Sequence, residues 1–366
     1  MLKCFNDRDN TDWSHPEIMD TYEFAANPGG FDTFLLNPEV DFDERAAAAI
    51  EAQKTLGADP EPAPEDMYRV FTFEAPGCPE EPDAPLVSFR VVKPKNLTKK
   101  KYPCIIEIAA GALVIATCCP TALQLSNLYD CVAIEVKYRT VYTGGEYPHC
   151  LNDVHAVVNY VIEHAEELNV DPKKIIVRGT SSGGLLALNL NHRLKRYGQH
   201  IRGIIAIVPT IDNRTYHPSS YIDSVSWAAR ENYLMDKMYT SKATWEQATS
   251  PECYASYAQV EDCVGLSPVF IHGMASDMYT DSSFEYISKL NQAGTYCEFH
   301  MWGGSNHTGL YYAETGETDP RTDEEMELAA SFCKVIDCQV HTMLKNNLYR
   351  PWAVEAAKEE YANKVQ

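Results

Sequence analysis

Residues 104–110 (CIIEIAA) and 131–138 (CVAIEVKY) are nearly unbroken apolar runs, and they limit the possible folds more than any other feature. A strand wetted on one face alternates apolar and polar residues, whereas a continuous run belongs in a parallel sheet covered on both faces. Further strands are expected at 86–94, 174–180, 201–210, 267–277 and 296–304. Between them lie segments of different period. Residues 151–169 carry apolar side chains at three- and four-residue intervals, as a helix buried on one side requires. Residues 183–198, 281–294 and 324–345 read the same way. Strands alternating with helices from 100 to 345 predict an α/β fold built on a doubly wound, mostly parallel sheet.

Two regions depart from that rhythm. Residues 1 to about 83 are rich in Pro, Asp and Glu, with one Ala-rich helix expected at 44–56. Residues 211–266 contain no clear strand but carry Trp227, Trp245 and several tyrosines. An interval this long inside a compact domain has helices of its own or a functional role. The expected organisation is therefore an N-terminal extension over 1–85 and a main domain over 86–366. The extension and the 211–266 insertion together would form a cap over the sheet.

Composition narrows the partners. The net charge of −21 repels phosphate backbones and anionic headgroups, which argues against nucleic acid and membrane surfaces. The twelve cysteines are scattered and contain no C-x-x-C pair, so neither a zinc site nor any other metal or cofactor is expected. Several sit in apolar runs, where Cys acts as a small hydrophobe. The first residues lack an apolar core of signal-peptide length, and no stretch approaches the roughly 20 apolar residues of a spanning helix. A cytoplasmic protein with reduced thiols is the expectation.

The chemistry-bearing motif is Gly179-Thr180-Ser181-Ser182-Gly183, a G-x-S-x-G sequence. An apolar strand precedes it and a Gly-Gly-led helix follows, so a sharp turn would lift the Ser181 hydroxyl clear of the sheet. The helix start behind it offers N–H groups to a developing oxyanion. Only Ser181, not Ser182, has glycines two residues away on both sides. A serine needs a histidine in reach and a carboxylate to orient that histidine. His307 follows the last strand in a Gly-rich loop, whereas His272 and His300 fall inside strands and read as core residues. Asp277 ends the penultimate strand and is the preferred acid. Asp281 is the alternative, although its place before a helix looks like an N-cap.

These residues resemble the hormone-sensitive-lipase-like group of α/β-hydrolases, bacterial esterases that include acetyl esterases. Tyr138-Arg139 followed by Glu146-Tyr147-Pro148, Asp153, Asp171-Pro172, Ser182 to Gly184, and Asp277-x-x-x-Asp281 carry the resemblance over about 86–315. It implies an α/β-hydrolase fold with its cap at the N-terminus and the insertion. The family's His-Gly-Gly-Gly loop is replaced by Ala109-Ala110-Gly111-Ala112, and Thr180 stands where the family has an acid. By position, the oxyanion donors would be the N–H groups of Gly111, Ala112 and Ser182. The implied activity is hydrolysis of a small, short-acyl ester without metal or organic cofactor. An amide hydrolase on the same triad is the alternative, as is a ligand-binding protein with weakened catalysis. A homo-oligomer is left open. Tyr279, Trp302, Tyr311 and Tyr312 lie near the expected catalytic loops and read equally well as pocket or as core residues.

Overall fold

The computed structural model describes residues 31–54, 68–94, 97–214, 217–221, 229–307, 309–310, 313–314, 323–352 and 354–356. Its strands are β1 (Tyr68–Ala75), β2 (Val87–Pro94), β3 (Tyr102–Ile108), β4 (Val132–Val136), β5 (Val170–Thr180), β6 (Gly203–Ile207), β7 (Val269–Ser276) and β8 (Cys297–Asn306). They form one sheet in the order β1-β2-β4-β3-β5-β6-β7-β8. The β1–β2 and β2–β4 pairs are antiparallel, and every other pair is parallel.

The main helices are α1 (Phe31–Leu36), α2 (Phe42–Gln53), α3 (Ala122–Tyr129), α4 (His149–Glu163), α5 (Ser182–Arg196), α6 (Ala229–Tyr239), α7 (Thr280–Gln292) and α8 (Asp323–Lys345). Two cores flank the sheet, and the period of two along each strand assigns residues to them. Cys104, Ile106, Ile175, Val177, Ile204, Ala206 and Ile271 join α4, α5 and α7 on one face. Ile105, Ile176, Ile205, Ile207 and Phe270 join α3 and α8 on the other. This double burial is why the strands read as unbroken apolar runs. Local signals set the helix ends: Asp41 accepts the Asp43 and Glu44 N–H groups at the start of α2, and Thr121 and Gln124 make a reciprocal capping box for α3.

One strand lies where no strand is predicted. Residues 68–75 form β1, the edge strand paired with β2 along its whole length. The 85/86 division expected from sequence therefore falls between two paired strands of one sheet. The helix expected at 44–56 is present as α2, with its residues beyond Lys54 outside the described range. The 211–266 interval contains no strand among its described residues. It holds α6 and short helical turns at Trp245–Ala248 and Val260–Cys263. Among the described residues, no helix is long and apolar enough to cross a membrane.

Candidate active site

Strand order and register bring three predicted residues together. The β5 strand ends at Thr180, and Ser181 turns the chain directly into α5 with φ 55° and ψ −119°. A positive φ is disfavoured for any residue with a Cβ, and neighbouring contacts hold it: the Ser181 N–H donates to Ile207 O at 2.8 Å, and Ser181 O accepts from Leu185 N at 3.0 Å. The turn also needs Gly183. A Cβ there would collide with the carbonyl oxygens of Ile108 and Ala109, so glycine lets the start of α5 lie against the end of β3.

Farther along the sheet, β7 and β8 pair Met274 with Trp302 and then Ser276 with Asn306. Two extra residues in β8 are absorbed between these pairs. The irregularity delivers the next residues, Asp277 and His307, side by side.

The His307 Nδ1 lies 3.0 Å from Asp277 Oδ2, and its Nε2 lies 2.9 Å from Ser181 Oγ. An ionised carboxylate only accepts, so Nδ1–H donates to Asp277 and Nε2 is left to accept the Ser181 hydroxyl proton. Asp277 is 1% exposed and His307 5% exposed, which shields both from competing water. The ring of Tyr279 packs 5.8 Å from that of His307, and its hydroxyl donates to Asn232 Oδ1 of α6 at 2.7 Å.

Asp281 is placed differently from its expected N-cap role. Tyr279 occupies the cap position of α7, and Asp281 sits in the first turn, where it accepts the Ser219 N–H at 2.9 Å. A capping residue must stand outside the helix, and the helix begins two residues too early for Asp281. Trp302 takes the core alternative: it donates to His272 Nδ1 at 3.0 Å and packs edge-on against Phe332 of α8. That places it in the opposite core, while Tyr311 and Tyr312 lie outside the described residues. His272 is a fully buried core residue, as expected, and bonds to Gln339 Oε1 at 2.8 Å.

The 109–113 turn follows β3 beside the start of α5. Gly111, Ala112 and Leu113 all have positive φ, at 115°, 54° and 60°. A Cβ on Gly111 would strike Ile115, so this one family glycine is retained where it is needed. Each of the two left-handed non-glycine residues costs roughly 1–3 kcal/mol. Hydrogen bonds support the turn: Ala110 and Thr117 exchange N–H···O bonds of 2.7 and 3.1 Å, Gly111 O accepts from Val114 and Ile115, and Leu113 O accepts from Val141. The N–H groups of Gly111 and Ala112 meet no acceptor among the described residues. Ser182 opens α5, so its N–H belongs to the first turn that every helix leaves unpartnered. Its side chain is turned away into the interior, 3.2 Å from the Tyr138 hydroxyl.

The predicted Arg139 and Asp153 pieces have a structural role. Arg139 binds Asp153 through Nε and Nη2 at 2.7–3.0 Å, and binds both Glu81 carboxylate oxygens at 3.1 and 2.9 Å.

Sequence reasoning missed a buried charged cluster under the site. Arg178, three residues before Ser181, is 1% exposed and grips Glu314 with bonds of 3.0 and 2.6 Å. Glu314 lies seven residues after His307, so the pair ties the chain leaving His307 to the strand entering Ser181. Glu107 Oε2 stands 2.6 Å from Arg178 Nε, without hydrogen-bond alignment. The sequence signal was a lone charge in each apolar run: Glu107, Glu135 and Arg178.

Burial pushes the Glu107 carboxyl up to about 8, against the pull of Arg178 and with the help of Glu314 and Glu135. The folded chain therefore holds a proton that an unfolded carboxylate, titrating near 4.5, has released. Its stabilising contribution is complete below the unfolded value and is lost as pH rises through about 8. We expect the thermal midpoint of the wild type to fall between pH 6 and 9 relative to Glu107→Gln, which mimics the protonated acid. Parallel curves for the two proteins would mean that Glu107 is ionised in the fold.

Comparison with known proteins agrees with this architecture. A family model described as alpha/beta hydrolase fold matches residues 114–310, just over half of the chain. The chain belongs to that family. An AB hydrolase superfamily protein of Schizosaccharomyces pombe is 23% identical over 237 residues, covering 60% of this chain and 67% of its own length. Esterase LipU of Mycobacterium tuberculosis is 27% identical over 188 residues, covering 50% of this chain and 61% of that protein. The structure of brefeldin A esterase, described as a bacterial homologue of human hormone sensitive lipase, superposes with a TM-score of 0.69 at 19% identity. That match covers 91% of this chain and 94% of the other, and it shows a shared fold.

Proposed function

We propose that the chain is a serine carboxylic ester hydrolase for small, short-acyl esters, with Ser181 as nucleophile, His307 as base and Asp277 as its orienting acid. The observation that carries this reading is the continuous Ser181–His307–Asp277 relay, with both links within 3.0 Å. Esterase relatives in the same family support the reaction class.

In the proposed mechanism the Ser181 oxygen attacks the ester carbonyl while His307 Nε2 takes its proton. The N–H groups of Gly111, Ala112 and Ser182 receive the charge that develops on the carbonyl oxygen. His307 then returns the proton to the departing alcohol, and water releases the acyl group by the same route. Asp277 holds the imidazole in the tautomer that both steps need.

Residues 31–54 and 211–266 are proposed to cap the site. Arg45 Nη1 of α2 lies 3.9 Å from Met238 Sδ of α6, and the Tyr142 hydroxyl donates to Leu35 O of α1. Ser219 Oγ donates to Met278 O at 2.9 Å, beside Asp277.

The test is a p-nitrophenyl ester series from acetate to decanoate, run beside acetyl p-nitroanilide. The expected result is a kcat/KM that is highest for the shortest esters, with the anilide far slower. Faster anilide than ester turnover would replace the reading with an amide hydrolase. Background rates on both substrates would remove hydrolysis of activated acyl compounds altogether.

A further inference from the structure

A second group of chemistry-bearing side chains lies at the far end of α5. Cys78 and Glu80 come from the β1–β2 connection, and His155 comes from α4. One ligand-type atom from each lies within 4.8 Å of the other two. Glu80 Oε2 is the shared neighbour, 3.7 Å from Cys78 Sγ and 3.4 Å from His155 Nδ1. Cys78 is 2% exposed and His155 fully buried.

The nearby cations Arg193 and Arg196 are both paired with Glu252. Neither ring nitrogen of His155 makes a hydrogen bond of proper geometry among the described residues. Gln199 Oε1 is likewise buried without a hydrogen bond of proper geometry, its amide nitrogen being committed to Asn159 Oδ1 at 3.2 Å. Nδ1 is the nitrogen on the Glu80 side. With its proton on Nε2, the ring would turn the Nδ1 lone pair to the Glu80 carboxylate and the Cys78 sulfur, three potential ligand atoms around one point.

We propose that Cys78, Glu80 and His155 form a structural binding site for a divalent cation of borderline softness, with zinc the best match. Thiolate, imidazole and carboxylate are the ligand types zinc combines in tetrahedral sites, and the partial exposure of Glu80 leaves a side for water as the fourth ligand. Binding releases the Cys78 thiol proton to solvent, and the sulfur then coordinates as thiolate.

The surroundings supply outer partners. Glu80 Oε1 is held by Arg196 Nη2 and the Tyr197 hydroxyl, both at 2.6 Å, which fixes the carboxylate and leaves Oε2 toward the site. Outer-shell bonds of this kind orient metal-binding carboxylates. Arg193 approaches Oε2 to 3.7 Å, but its charge is met by Glu252 at 2.6 Å. The two ends of the 15-residue α5 are about 22 Å apart, so the cation would pin the β1–β2 connection to α4 and α5 rather than reach Ser181. No spacing rule would find the site, because residue 155 comes from a distant helix.

The test titrates the full chain, stripped with a chelator, with Co(II) and then Zn(II). Wild type should show a thiolate-to-Co(II) charge-transfer band saturating at one equivalent, bleached by Zn(II), and a thermal midpoint raised by Zn(II). Cys78→Ser and His155→Gln should lose the band and the thermal response. Glu80→Gln, the mildest change, covers the case in which either variant fails to fold, and it should weaken saturation. If wild type and all folded variants give the same band and midpoint, the metal is held elsewhere and the proposal falls. No band in wild type also overturns it, because the lone pair is then satisfied by a proton shared with Glu80.

Discussion

Ser181→Ala is expected to lower kcat on p-nitrophenyl acetate by about 10⁶-fold, to the level set by the remaining oxyanion donors and substrate binding. The loss should be non-additive. Removing His307 as well ought to cost little more, because the two residues act as one proton-transfer unit joined by a 2.9 Å hydrogen bond. Ser182→Ala is the control for nucleophile identity. Its hydroxyl is buried against Tyr138, and alanine keeps the backbone N–H, so the loss should be about that of one neutral hydrogen bond, a few-fold in rate. Steady-state rates for the three variants decide the assignment. Wild-type turnover in Ser181→Ala, with collapse in Ser182→Ala, would move the nucleophile by one residue and discard the turn geometry as its explanation.

Much of this arrangement is legible in the sequence because the responsible forces are local. The G-x-S-x-G turn must have glycine where α5 meets β3, so the motif and its contact are one fact seen twice. Double burial of the central strands shows as unbroken apolar runs. His307 and Asp277 are legible as candidates because each directly follows a strand, at the sheet end where open parallel sheets gather their ligand-binding groups.

The unread features depend on contacts between distant segments. The β1 strand, Tyr68–Ala75, is an edge strand with Val70 and Phe71 exposed, and its alternation is swamped by the Pro- and acid-rich flanks. Glu107, Arg178 and Glu314 meet only once β3, β5 and the chain after His307 are assembled. The conformation of the 109–113 turn is similarly non-local. Ala112 and Leu113 adopt left-handed backbone that their own chemistry disfavours, held by the Ala110–Thr117 bridge and by Val141. A motif search sees only that three of the family's expected residues are missing. The structure adds that the N–H groups of Gly111 and Ala112, which any non-proline residue supplies, meet no acceptor among the described residues.

Asp277→Asn separates the two candidate acids, with an expected drop in kcat of about 10⁴-fold and little change in KM. The amide keeps the shape of the carboxylate, so the fold and the ring position should survive. What changes is the tautomer. An asparagine nitrogen facing Nδ1 donates to it and moves the imidazole proton to Nε2, where it can no longer accept the Ser181 hydroxyl proton. Burial makes the effect large, since Asp277 is 1% exposed and shielded from bulk solvent. Asp281→Asn should behave in the opposite way. Its carboxylate accepts the Ser219 N–H in the insertion, so the change weakens a charge-assisted hydrogen bond, with a stability loss of about 1–3 kcal/mol and near wild-type kcat. Thermal unfolding and steady-state kinetics on the two variants give a crossed pattern: one loses rate and keeps stability, while the other loses stability and keeps rate. If the 10⁴-fold loss instead follows Asp281, the 3.0 Å contact between Asp277 and His307 is structural, and the orienting acid is the one in the first turn of α7.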